Sequence, residues 1–227
     1  PISLSGYVEK MPEKQKDIYY ISAETKDQAL ASPHLEGFKS KKIPVLIMTD
    51  AIDQFWLPMV GSFKEKKFTS ITQGQINLDD LDEKNKDKKK DDKNDKENKD
   101  KEYVDLGAQL KVVLGDQVKD IRLSSKLTDS PVCLVADEGD MDIAMEQLMA
   151  QRDTNYKGAP RILEINGDHS LIKNMKSLLS KKENNDLVSD AGTLLFEQAR
   201  LMEGKMPADP AQFSKIMNQF LLKARPN

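Results

Sequence analysis

Residues 82–102, DEKNKDKKKDDKNDKENKDKE, consist of nine lysines, nine acidic residues and three asparagines, with nothing else among them. No side chain in this run offers apolar surface to offset the cost of ordering the backbone, about 1–2 kcal/mol per residue. One continuous core therefore cannot run through it, and the chain must fold as a body before it and a body after it. Lysine and glutamate tolerate helix well, which makes a single charged helix the rival reading. The Asp and Asn content argues for a solvated spacer of zero net charge instead. Its mixed signs exclude a polyanion-binding tail, which needs one sign in excess. The expected partition is 1–80, a flexible charged linker at 81–102, and 103–227.

With 227 residues in all, each body is large enough to bury a core of its own. The net charge of −3 gives no sign of a nucleic-acid binder. No stretch approaches the roughly 18 consecutive apolar residues of a membrane span, so the chain reads as soluble, with no membrane partner. The sequence opens at Pro1 without an initiator methionine or a signal-like apolar run, and the expectation is a piece of a longer protein. A single cysteine, Cys133 in VCLV, excludes an internal disulfide and reads as a small buried thiol.

The first body has an α/β pattern. Residues 18–21 (IYYI) and 45–48 (VLIM) are short strand candidates. Residues 25–31 read as a helix stopped near Ser32-Pro33, and a second helix begins near Thr49-Asp50, carries Ile52, Phe55 and Trp56, and ends or kinks at Pro58. In the second body, residues 106–114 read as a helix. Residues 118–124 read as an edge strand, with further strands at 132–136 and 161–165. The tail is helical, with Leu187, Ala191, Leu194, Leu195, Leu201 and Met202 following one face. A last helix opens on Asp209 as N-cap, Pro210 in the first turn and Gln212 as capping partner. It carries Phe213, Ile216, Met217, Phe220 and Leu221, worth roughly 8–15 kcal/mol if fully buried at ~1.5–3 kcal/mol each. Two short helices cannot cover each other all round. Either a second copy completes a four-helix bundle across a twofold or the preceding α/β layer takes the face, and the pattern leaves both open.

Between the strands at 132–136 and 161–165 lies DMDIAMEQLMA. Met141, Met145, Leu148 and Met149 recur at i, i+4, i+7 and i+8 and form one helical stripe. Monomers rarely leave such stripes uncovered, which favours core. Methionine is also the side chain of surfaces that fit many partners. Phe55 and Trp56 raise the same question, because neighbours on a helix diverge by about 100° and only one can point inward.

No catalytic constellation is present. His34 and His169 are the only histidines and lie far apart, one cysteine cannot complete a zinc site, and neither G-x-x-x-x-G-K nor G-x-G-x-x-G occurs. Catalytic, cofactor-binding and metal-ligating residues are all expected to be none. An enzyme built on the first α/β body would need a glycine-rich strand-to-helix turn, and Ser22-Ala23-Glu24-Thr25 supplies none. A passive scaffold binding through the charged run is the other alternative.

Several strings resemble the heat-shock protein 90 chaperone family. SLSGYVEKMPEKQKDIYYIS at 3–22 resembles its middle-domain signature, and SPHLEGF at 32–38 and VLIMTDAID at 45–53 continue it in register. LGDQVKDIRLSSKLTDSPVCLV at 114–135 is similar to the opening of its C-terminal domain. LFEQARLMEG at 195–204 and DPAQFSKIMNQFLL at 209–222 are similar to its dimerisation helices. The family's usual Asn-Pro near the strand end is Asn166-Gly167 here. The chain ends at Asn227 without the acidic tail of cytosolic eukaryotic members, so the resemblance is to the cytoplasmic bacterial type, an organellar member being the alternative.

The resemblance implies a mixed α+β architecture: the end of a middle domain, a spacer, and a C-terminal dimerisation domain ending in a four-helix bundle. It implies a homodimer through Leu194, Leu195, Ala199, Leu201, Met202, Phe213, Ile216, Met217, Phe220 and Leu221. It turns the Met141 helix, with Phe55 and Trp56, toward partly folded client proteins, on a helix that projects away from the sheet into the cleft between the dimer arms. ATP and magnesium belong to an N-terminal domain not represented in this sequence, so this chain is expected to bind neither and to hydrolyse nothing.

Overall fold

A computed structural model describes residues 2–78, 81, 91–153, 156, 158–180 and 184–223. The first body is a four-stranded sheet in the order β2-β1-β4-β3. It is built from β1 (Ile18–Ser22), β2 (Leu46–Met48), β3 (Ser62–Phe63) and β4 (Lys66–Ser70), with β1 parallel to both β2 and β4. Alternation along β1 gives the sheet two buried faces. Tyr19 and Ile21 pack with Ala29, Leu35 and Phe38 of α2 (Lys26–Ala31), the 3-10 turn Pro33–Leu35 and α3 (Glu36–Ser40). Ile18 packs on the other side with Leu46 and with Tyr7 of α1 (Leu4–Val8). Thr25 caps α2 by accepting from the Gln28 N–H at 3.2 Å.

Helix α4 (Asp53–Val60) does not end at Pro58. It runs on to Gly61, whose φ of 67° is the left-handed stop that glycine supplies at no steric cost.

The second body is a three-stranded sheet ordered β5-β7-β6, from β5 (Val118–Leu123), β6 (Val132–Val135) and β7 (Arg161–Ile165). β5 is an edge strand, as its imperfect alternation suggests. One sheet face, through Val132, Leu134, Leu163 and Ile165, packs on three helices: α5 (Asp91–Leu114), α7 (Ser170–Leu179) and α8 (Asn185–Met202). Between β6 and β7 runs α6 (Ile143–Arg152), and the described chain closes with α9 (Pro210–Lys223). There Asp209 accepts from the Gln212 N–H at 2.9 Å, the expected cap.

Two expectations about the charged run need correction. Residues 91–102 are the first half of α5 rather than spacer; 82–90 lie outside the described residues. The segment extends a helix already nucleated by Leu106, Leu110 and Leu114, all buried, so it needs propagation only. Nor are the bodies held together by a string alone. Glu36 of α3 accepts from the N–H groups of Thr128, Asp129 and Ser130, and Gly37 N–H donates to Lys126 O at 2.7 Å. Gln73 bridges to Ala136 in parallel, which nearly joins the two sheets.

Candidate functional site

Helix α6 does not stand apart from the sheet. Its buried residues are Ile143 and Glu146, not the methionines. Glu146 Oε2 meets Arg161 at 2.7 Å and accepts from Ala159 N–H at 3.2 Å, while Lys205 lies 3.6 Å from its other oxygen. Gln147 donates to Glu203 O at 2.9 Å, which ties the helix to the end of α8. At the N-terminus Asp142 does two jobs. One oxygen caps the helix through Ala144 N–H at 2.9 Å. The other accepts from Ser70 Oγ at 2.5 Å and Thr72 Oγ1 at 2.8 Å, both from the first body.

Met141 lies before the N-cap Asp142, so α6 carries only three of the four stripe residues, and none of the four is buried. Met141 is 39% and Met149 37% exposed, and Met145 and Leu148 are half-buried. The core alternative for this stripe therefore does not describe the fold. Phe55 and Trp56 divide as their spacing requires. Trp56 turns inward, stacks edge-on against Phe68 at 5.6 Å and donates Nε1–H to Asp53 at 2.7 Å, while Phe55 is 37% exposed.

Residues beside the two candidate stretches, far apart in sequence, line one groove of about 130 Å³, and of the six candidates only Leu148 is in its lining. Thr49, Asp50, Ala51 and Gln54 line one wall, and Ala144, Gln147, Leu148 and Gln151 the other. Exposed Ile52 and Met59 of the α4 region extend the apolar surface, and sequence reasoning missed Met59 because it lies beyond Pro58. Among the described residues no cluster of His, Cys, Asp or Glu has metal-binding geometry. No helix among them is long and apolar enough to cross a membrane.

The ten residues expected at a dimer interface separate into groups. Leu195, Ala199 and Ile216 are buried within their own chain. Leu194, Phe213 and Phe220 are half-buried. Leu201, Met202, Met217 and Leu221 are exposed, joined by Leu222. The buried three hold α8 and α9 in place and have no surface left to offer a partner.

Between the bodies, His34 lines a small cavity of about 60 Å³ with Ser22, Thr72, Cys133 and Glu203. Burial pushes its pKa well below the ordinary 6.5, nearby Lys126 adds to the effect, and a hydrogen bond with the Leu134 backbone opposes it. His34 is therefore neutral in the fold, and below pH 6.5 the unfolded chain takes up a proton that the fold does not. Its contribution to stability is complete above that pH and is lost as pH falls toward the folded pKa. Glu36 acts in the same sense at lower pH. Burial alone would raise its carboxyl, but hydrogen bonds from Ser130, Asp129 and Thr128 hold it below 4.5. Glu203, pushed up by burial, opposes both. Urea midpoints for the wild type and His34→Gln should diverge between pH 7 and 5, with the wild type losing more. Parallel pH profiles would remove His34 from this account.

The chain belongs to the Hsp90 family: the sequence model of the family described as Hsp90 protein matches residues 1–225. Among curated relatives, proteins named Chaperone protein HtpG are similar to this chain. That of Roseobacter denitrificans is 42% identical over 96% of this chain and 35% of the relative. Those of Wolbachia pipientis and Streptomyces coelicolor are 38% and 36% identical over 98% and 96% of this chain, covering 34% and 33% of the relatives. The chain thus spans about a third of the length of these relatives.

Proposed function

We propose that this chain is the client-holding and dimerising arm of a cytoplasmic ATP-dependent molecular chaperone. The observation that carries the reading is the apolar surface that Met141 and Met149 leave exposed next to the groove lined by Leu148. Methionine side chains are flexible and polarizable, so such a surface fits many unfolded sequences without a fixed register. Nothing in the groove performs chemistry, and ATP and magnesium would act in a domain outside this chain. In this reading the first body ends near residue 80 and the second includes all of α5.

The test replaces Met141 and Met149, both exposed, with aspartate. Suppression of client aggregation should fall several-fold while the thermal midpoint stays within a few degrees, since surface changes rarely exceed ~0.5 kcal/mol. Undiminished suppression would reject the patch.

Dimerisation would use the exposed Leu201, Met202, Met217, Leu221 and Leu222, with α8 and α9 pairing with their symmetry mates as a four-helix bundle. In the clamp this forms, two arms joined at one end meet at high effective concentration. Met217→Asp with Leu221→Asp should weaken the dimer by about 100-fold or more, at ~1.5–3 kcal/mol per apolar side chain. Sedimentation equilibrium reads this directly, and a monomeric wild type would remove the clamp.

A further inference from the structure

We infer that the groove between α4 and α6 selects apolar client segments that carry lysine or arginine. The inference rests on the client-site reading and adds a chemical class to it. Residues 43–63 and 127–151, which supply most of both walls, contain eight acidic side chains and not one Lys or Arg. Most of those acids already have partners. Asp53 holds Trp56, Asp142 holds Ser70 and Thr72, Glu146 holds Arg161, and Asp137 and Asp140 share Lys119.

Two carboxylates on the groove are different. Asp50 on one side and Glu24 beside it are exposed groove-lining residues, and neither is in an ion pair among the described residues. Among the described residues the Glu24 carboxylate has only a long contact from Gln151 Nε2, at 3.5 Å. Lys26 and Arg152, the nearest cations in sequence, do not line the groove. A concave site with charge of one sign concentrates its field on whatever enters. An apolar segment finds Leu148 and the flanking Met149 and Phe55, and a flanking lysine or arginine finds Asp50 and Glu24. An acidic segment meets the same carboxylates as repulsion, which is the element that makes a sticky groove selective. Unfolded chains supply such segments in quantity, because hydrophobic strands are commonly flanked by charged gatekeepers.

The test measures binding of short fluorescent peptides that share one apolar centre and carry Lys, Gln or Glu at both flanks. The lysine peptide should bind about fivefold more tightly than the glutamine peptide, as expected for two exposed ion pairs. The preference should shrink with added salt. In Glu24→Lys with Asp50→Lys, both at exposed positions, it should reverse toward the glutamate peptide. Equal affinity for the lysine and glutamine peptides, with binding still lost in Met141→Asp with Met149→Asp, overturns the charge selection and leaves the client site standing. If that methionine variant binds every peptide as the wild type does, the client-site reading fails, and the charge selection fails with it.

Discussion

Replacing Glu164 with alanine is expected to lower the unfolding free energy by about 3–5 kcal/mol. Glu164 is buried on the face of β7 that looks toward the first body, with both oxygens engaged. Oε1 accepts from Arg122 Nε at 3.1 Å and from its terminal nitrogen at 2.8 Å, and the same nitrogen also donates to Gly74 O in the first body. Oε2 accepts from Ser124 Oγ at 2.8 Å and lies 3.7 Å from Lys126 Nζ. Lys126 is only 2% exposed and would be left with a single neutral acceptor, Ile71 O at 2.8 Å.

The loss thus comes less from forfeited attraction than from an uncompensated buried charge. That distinction can be measured. Lys126→Met in the same molecule removes the stranded charge and should recover a large part of the loss, giving a coupling energy in a double-mutant cycle. Additive single effects would mean that Lys126 and Glu164 act independently. A total loss below about 1 kcal/mol would place the pair in the range of solvent-exposed bridges.

Gly37→Ala should also be costly, although alanine is the better helix former by about 1 kcal/mol. A Cβ at this position would stand 2.6 Å from Lys126 O and 2.9 Å from Lys126 Cα, with Leu78 Cδ1 at 2.7 Å. Two of the three obstacles are backbone, so side-chain rotation cannot relieve them. α3 must back away, giving up the Gly37–Lys126 bond and drawing Glu36 from the Thr128–Ser130 amides. Overpacking and lost hydrogen bonds together outweigh the propensity gain, for a net cost of about 2–3 kcal/mol. Denaturation gives the total, and hydrogen exchange at residues 128–130 gives its location. Unchanged protection there would show that the bodies tolerate the extra methyl.

Much of the scaffold was legible because its signals are local. Thr25 before α2, Asp209-Pro210 before α9, and the apolar runs of β1, β6 and β7 each carry their own reason to form. The β3–β4 hairpin carried none. Its turn residues Lys64 and Glu65 adopt φ of 48° and 62° without the Asn or Gly that advertises such a turn, and Lys66-Lys67 open a strand that lies inside the sheet. The first half of α5 was misread for the opposite reason. Its local composition argues against helix, and only its attachment to the buried Leu106–Leu114 half sustains it.

The groove shows the same division. The sequence alone determined that α6 would be a helix with Met145, Leu148 and Met149 on one stripe, though Met141 falls before its cap, and that only one of Phe55 and Trp56 could point inward. Tertiary structure decided which way each turned. α6 presents its methionines because Arg161 offers Glu146 a buried counter-charge and because Ser70 and Thr72 hold Asp142, so the inward face is partly polar. Hydrophobic periodicity ranks faces by apolar content alone. It cannot register a carboxylate whose partner lies 15 residues further along the chain, or a cap whose other partners lie about 70 residues back. Those long-range polar contacts, rather than the stripe, fixed the helix's orientation.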